Sequence, residues 1–153
     1  MTAHHQLAQI NISRLLFPLD GPELADFVAA LDPVNALAEE ADGFVWRLTD
    51  SAAGGTVRIF EDDWLIVNMS VWDDPDVLEA FVYSPGHIAV LRRRREWFSR
   101  AGEAMTALWW VPAGHRPTVA EAEQKLVELR ATGPTPEVFT LRETFPAPAP
   151  GQD

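Results

Sequence analysis

His87 and Arg94 stand seven residues apart in the stretch HIAVLRRRREWF. On a helix that spacing is close to two turns, so the imidazole and the guanidinium would share one stripe. An imidazole can serve as acid, base or metal ligand near neutral pH. A guanidinium grips carboxylates and other oxyanions through paired hydrogen bonds. At about 100° per residue, with His87 at zero, Leu91 falls near 40°, Phe98 near 20° and Val90 near 300°. Arg94, near 340°, lies inside that apolar arc, and Arg95 sits on its edge. A guanidinium on a core-facing stripe must be paired or solvated by a pocket. This leaves two readings. One is an internal ion pair, with His87 bonded to a carbonyl; the other is a cavity between helix and sheet where His87 and Arg94 meet a ligand.

The rest of the arginine run reads as a solvated face. Arg92 and Arg93 fall opposite the apolar arc and are expected to pair with acidic neighbours. Four consecutive arginines spread over about 300° of a helix, so they cannot form a single nucleic-acid patch. Other constellations are thinner. His115, in PAGHRP, lies in a turn and is expected to be solvated, and His4 and His5 belong to a flexible terminus. No pair of His or Glu at helical spacing offers a metal site. AAGGT lacks the lysine of a phosphate loop, and no G-x-S-x-G elbow appears.

The elements that must position these residues follow from periodicity. Residues 7–17 alternate as a first strand, and Leu24, Phe27, Val28 and Leu31 make a helical stripe that Asp32-Pro33 is expected to interrupt. GFVWRLT, TVRIF and WLIVNMSVW read as strands. In the last of these Leu65, Val67, Met69 and Val71 are apolar, while Ile66, Asn68, Ser70 and Trp72 mix polar with aromatic. That second face suits the lining of a pocket or an interface, to which Asn68, Ser70 and Trp72 would contribute. Asp74-Pro75 opens a helix, and Ser84-Pro85 starts another expected to run to about residue 101. AMTALWWV is a strand whose Trp109 and Trp110 face opposite ways, with Trp110 assigned to the pocket. Thr118 and Glu121 form a capping box ahead of a helix that Gly133 ends, and VFTLRETF is the last strand. The spine β-α-β-β-α-β is a ferredoxin-like α+β arrangement, an antiparallel sheet with helices on one face. It would occupy residues 7–146 as a single domain, between a flexible 1–6 and a Pro-rich tail over 147–153.

Bulk properties narrow the partners. The chain has 153 residues, a formal charge of −11 and no cysteine. Its acidity argues against nucleic acid and anionic membranes as partners. The missing cysteines remove disulfides and thiolate chemistry, and no leader or membrane span is read from the sequence. A cytoplasmic protein is expected.

The runs WLIVNMSVWDDPDVLEAFVYSPGHIAVLRRRREWF and ALWWVPAGHRPTVAEAEQKLVELRATGPTPEVFTLRETFPAP resemble a bacterial family catalogued as a domain of unknown function. The likeness spans roughly residues 7–148. That family looks like part of the dimeric α/β-barrel superfamily, which includes the antibiotic-biosynthesis monooxygenases. More distantly, the stretch from SVW through LEAFVY to the arginines is similar to spheroidene monooxygenase, a haem-associated oxygenase. The resemblance implies a homodimer closing a barrel from two sheets, and a monooxygenase-like oxidation of a small apolar substrate. It also implies haem on His87 as metal ligand, with Arg94 or Arg95 meeting a propionate or bound oxygen species. The alternatives are a non-catalytic small-ligand or interaction protein in which His87 and Arg94 anchor an anion, or a purely structural pair.

Overall fold

The computed structural model describes residues 5–49 and 57–149. Among them, β1 (His5–Arg14), β2 (Phe44–Arg47), β3 (Leu65–Trp72) and β4 (Thr106–Pro112) form one antiparallel sheet. The order is β2-β3-β1-β4. Helices α1 (Ala25–Glu40), α2 (Pro75–Val82), α3 (Pro85–Leu91), α4 (Arg94–Trp97) and α5 (Val119–Thr132) accompany it. Strand order and connectivity are ferredoxin-like, as expected. The barrel is not: β2 and β4 lie at opposite ends of the order and do not pair, so the sheet is open. A barrel whose interior side chains can fill takes roughly eight strands, and four twisted strands leave two edges.

Helices cover both faces, rather than the one expected. Leu7, Trp72 and Leu108 meet Ala38 of α1 and Leu78 of α2. On the other side Ala8, Ile10, Met69 and Trp109 meet Ala122, Leu126 and Leu129 of α5. Alternate residues of the inner strands are apolar on that second side, and α5 carries the matching stripe. Burying each large side chain there contributes roughly 1.5–3 kcal/mol. The apolar face of β3 made by Leu65, Val67, Met69 and Val71 is thus covered by α5.

Local signals placed most boundaries. The Asp74 carboxylate accepts from Val77 N–H to start α2, the Thr118 hydroxyl accepts from Glu121 N–H to start α5, and Gly133 ends α5 at φ 75°. Five expectations change. α1 runs through Pro33, whose exposed position lets water replace the lost backbone donor. His5 is buried in β1 opposite Pro112, so order begins before residue 7; His4 lies outside the described residues. From residue 57 on, TVRIF forms no strand: Ile59 makes one bridge to Asp62 across a turn. VFTLRETF is likewise a series of turns, bridged to the edge of β4 where Phe139 and Leu108 exchange backbone bonds, both of 2.8 Å.

The helix expected over 85–101 is broken at Arg92 and Arg93, between α3 and α4. The break turns Trp97 and Phe98 into a cluster with Leu15 and Leu24, packed by Phe27 and Ile66. α4 ends at Trp97 and Phe98 follows in extended backbone, φ −128° and ψ 144°, which lets two successive aromatics both face inward.

Candidate functional site

Residues 7, 9 and 11 of β1 and 66, 68, 70 and 72 of β3 share the side on which α1 to α4 pack. Apolar clusters close both ends of this side, one around Trp72 and Leu7, the other around Trp97 and Leu15. Between them the side is polar. Asn11 and Asn68 are direct register partners on the two inner strands, yet both are exposed. A central pair on inner strands stays exposed only where the layer above leaves a gap. Gln9 and Ser70, the next inward-facing pair, are 7% and 6% exposed.

These groups form one network. Gln9 Nε2 donates to Asn68 Oδ1 at 2.7 Å and to Ser70 Oγ at 2.8 Å. Trp72 Nε1 donates to the same Ser70 oxygen at 2.8 Å. Gln9 Oε1 and Asn68 Nδ2 have no hydrogen-bond partner among the described residues. One acceptor and one donor are therefore left for a hydroxyl or carbonyl group in the gap.

The segment α3 links the two closed ends, with Val90 packed on the Trp97 cluster and His87 against Phe81 of the Trp72 cluster. Its Nδ1–H donates to the Val82 carbonyl at 2.9 Å. Its ring lies 5.1 Å from that of Phe81, which stacks on Trp72 at 5.3 Å. Ser70, Trp72, Phe81 and His87 thus form a continuous contact path. Burial pushes the His87 pKa below its ordinary value, against the opposing pull of the Val82 carbonyl. The neutral ring carries its proton on Nδ1, which leaves the Nε2 lone pair without a partner among the described residues. α3 is seated by Gly86, where a Cβ would run into Leu37 of α1.

The structure does not bring Arg94 to His87. Arg94 is exposed, and its guanidinium donates to the Leu91 carbonyl at 2.9 Å. Arg95 is exposed as well. Both follow from the break at 92–93, which invalidates a single helical wheel for the run. Arg94 and Arg95, named beside His87 for a haem propionate or oxygen species, thus both stand on the surface. Arg93 is the residue the wheel undervalued: it pairs with Asp26 and Glu96, both at 2.9 Å, and lies over the Trp97 ring at 4.9 Å. Trp110 faces the same side as Leu7 but belongs to the Trp72 end, where Nε1 donates to the Phe145 carbonyl at 2.8 Å. Gln9 escaped notice, although a lone glutamine on an inward-facing position of the first strand was its signal. His115, expected to be solvated, meets Glu121 at 2.8 Å. No group of three or more His, Asp or Glu side chains among the described residues could hold a metal ion. No described helix is long and apolar enough to cross a membrane.

A model of the family described as a domain of unknown function (DUF3291) matches residues 6–152. No curated protein matches the chain. Among solved structures, PA3566 from Pseudomonas aeruginosa is 11% identical with a TM-score of 0.50, covering 75% of this chain and 99% of its own. Rv0793 from Mycobacterium tuberculosis is 14% identical with a TM-score of 0.49, covering 74% and 99%. SnoaB, a cofactor-independent oxygenase from Streptomyces nogalater, is 19% identical with a TM-score of 0.44, covering 76% and 97%. At these identities the likeness is one of fold.

Proposed function

The chain belongs to the DUF3291 family, and on that premise we propose that it binds and oxidises a small, mostly apolar molecule in monooxygenase-like fashion, in the gap between the sheet and α3. The exposed Asn11–Asn68 pair, set between two closed apolar ends, carries this reading. Asn68 and Gln9 would orient a hydroxyl or carbonyl of the substrate, while Phe81, backed by the buried Trp72, walls its apolar body. Neutral His87 would take the hydroxyl proton on Nε2, making the ring electron-rich toward molecular oxygen. The overall step balances without an external reductant: a phenol with a free ring position plus O2 gives a quinone plus water. Arg94 leaves the site in this reading, since its guanidinium is exposed and occupied by Leu91. Haem on His87 has one point in its favour, the unpartnered Nε2, and stays an outcome of the test.

The second reading is a non-catalytic binding protein using the same gap. It is favoured by Ser70 and Gln9 already bonding each other, a preformed network that needs no reaction to justify it. A homodimer, implied by the resemblance, is part of the proposal and is checked by light scattering.

The test titrates 1-naphthol against tryptophan fluorescence and follows oxygen uptake. Saturable binding that Asn68→Leu weakens, with uptake that His87→Ala lowers about a hundredfold, is expected. Binding without uptake selects the binding protein. No binding removes both readings. A Soret band on hemin titration that His87→Ala abolishes would replace the cofactor-free chemistry with haem.

A further inference from the structure

On the α5 side of the sheet a cleft of about 510 Å³ opens where the end of β1, the start of β3 and residues 99–105 meet. Its floor is apolar, made by Ile12, Leu65 and Met105. Arg14, Arg100 and Arg130 line it, in a chain whose formal charge is −11. The lining carboxylates are Asp62 and Glu103, so three cations against two anions leave one positive charge.

Arg130 is the prebuilt part. Its side chain is only 19% exposed. Nε donates to the Ala104 carbonyl at 2.9 Å, a terminal nitrogen lies 3.6 Å from Met105 Sδ, and the guanidinium sits 5.0 Å from the Phe60 ring centroid. These contacts fix its position without neutralising it. Its ion-pair partner Glu103, at 3.5 Å, is itself 60% exposed and leaves room for a second anion at the guanidinium.

The Phe60 ring is held beneath Arg130 by strained backbone. Phe60 and Glu61, neither a glycine, have φ of 54° and 53°. Bulky residues adopt that region only where the surroundings enforce it, and such strain gathers at ligand clamps. The enforcement is visible: Glu123 Oε1 accepts the Phe60 N–H at 2.7 Å, and Arg58 donates to the Glu61 carbonyl at 2.7 Å. Arg14 is taken by Asp62 at 2.8 Å. Arg100 is exposed and makes no ion pair or hydrogen bond among the described residues.

We propose that this cleft is a binding site for a small monocarboxylate with an apolar body, its carboxylate held by Arg130 and Arg100 and its body on Ile12, Leu65 and Met105. The volume falls within the roughly 300–1,000 Å³ of small-molecule sites. The single surplus charge suits a monoanion, and Asp62 and Glu103 repel a dianion. The site is separate from the gap beside α3, because the sheet lies between them.

The test uses the full chain with hexanoate, hexanol and inorganic phosphate as probes, read by calorimetry and by amide chemical shifts. Saturable hexanoate binding is expected, with shifts at residues 59–62 and 99–105 and none with hexanol. Arg130→Gln should abolish it. Arg100→Gln, whose side chain supports no other group, should weaken it about tenfold, while Arg92→Gln leaves it unchanged. No hexanoate binding, equal binding by hexanol, phosphate binding tighter than hexanoate, equal affinity in Arg100→Gln, or shifts centred on Gln9 and Asn68 would each overturn the proposal.

Discussion

Glu121 and Trp109 are joined by a hydrogen bond that ties the first turn of α5 to the centre of β4: Trp109 Nε1 donates to Glu121 Oε2 at 2.9 Å. The other carboxylate oxygen, Oε1, meets His115 Nε2 at 2.8 Å. A capping box would send this carboxylate back toward the Thr118 amide. Here only half of the box forms, with Thr118 Oγ1 accepting the Glu121 N–H at 3.1 Å. The indole N–H of a tryptophan that is 1% exposed has no water to turn to, so it claims the carboxylate.

Glu121→Ala leaves that indole N–H buried without an acceptor and should cost about 1–3 kcal/mol in urea unfolding. Trp109→Phe removes the orphaned donor. The double variant should therefore lose less than the sum of the singles, by about 0.5 kcal/mol or more. Additivity would show that the bond contributes nothing.

Gly43→Ala should destabilise by about 2–4 kcal/mol, read as a lower Tm. Gly43 has φ 84°, and a Cβ there would lie 2.6–2.8 Å from three carbons of Val77. The added Val77→Ala change removes two of the three colliding carbons but keeps the Cβ at 2.7 Å, and the backbone strain stays, so it should restore only part of the loss.

His87 gives stability a sign with pH. Its folded pKa lies below the ordinary 6.5 because of burial. As pH falls the unfolded chain takes the proton first, so stability is retained above about 6.5 and drains away as pH drops toward the folded value. His87→Phe should flatten the stability profile below about pH 6.5. Under the proposed chemistry, oxygen uptake by the wild type should fall as pH drops to the folded pKa, which lies below the ordinary value, and Nε2 becomes protonated.

Arg93→Ala should lower Tm more than Arg94→Ala. Arg93 joins α1 to α4 through Asp26, Glu96 and Trp97, whereas Arg94 reaches only the adjacent Leu91 carbonyl. Equal effects in thermal unfolding would mean that the exposed pairs carry no net stability.

What the sequence determined by itself is what neighbours along the chain decide. Alternation located β1, β3 and β4, and the Asp74, Thr118 and Gly133 signals bounded α2 and α5, because caps and periodicity act within a few residues. That His87 bonds a carbonyl was one of two open readings, and its partner Val82 lies only five residues back. Tertiary structure decided the rest. The phase break at Arg92 and Arg93 comes from seating Trp97 and Phe98 against Leu15 and Leu24, and it is this that carries Arg94 to the surface. α5 covers the second sheet face because the whole apolar side of β1 and β3 was available to it, a fact no local window contains. The Gln9–Asn68–Ser70 network needs a register that pairs Gln9 with Ser70 and Asn11 with Asn68 across more than fifty residues of chain. Side chains that far apart meet only once the packing of the intervening helix and strand has fixed where each strand lies.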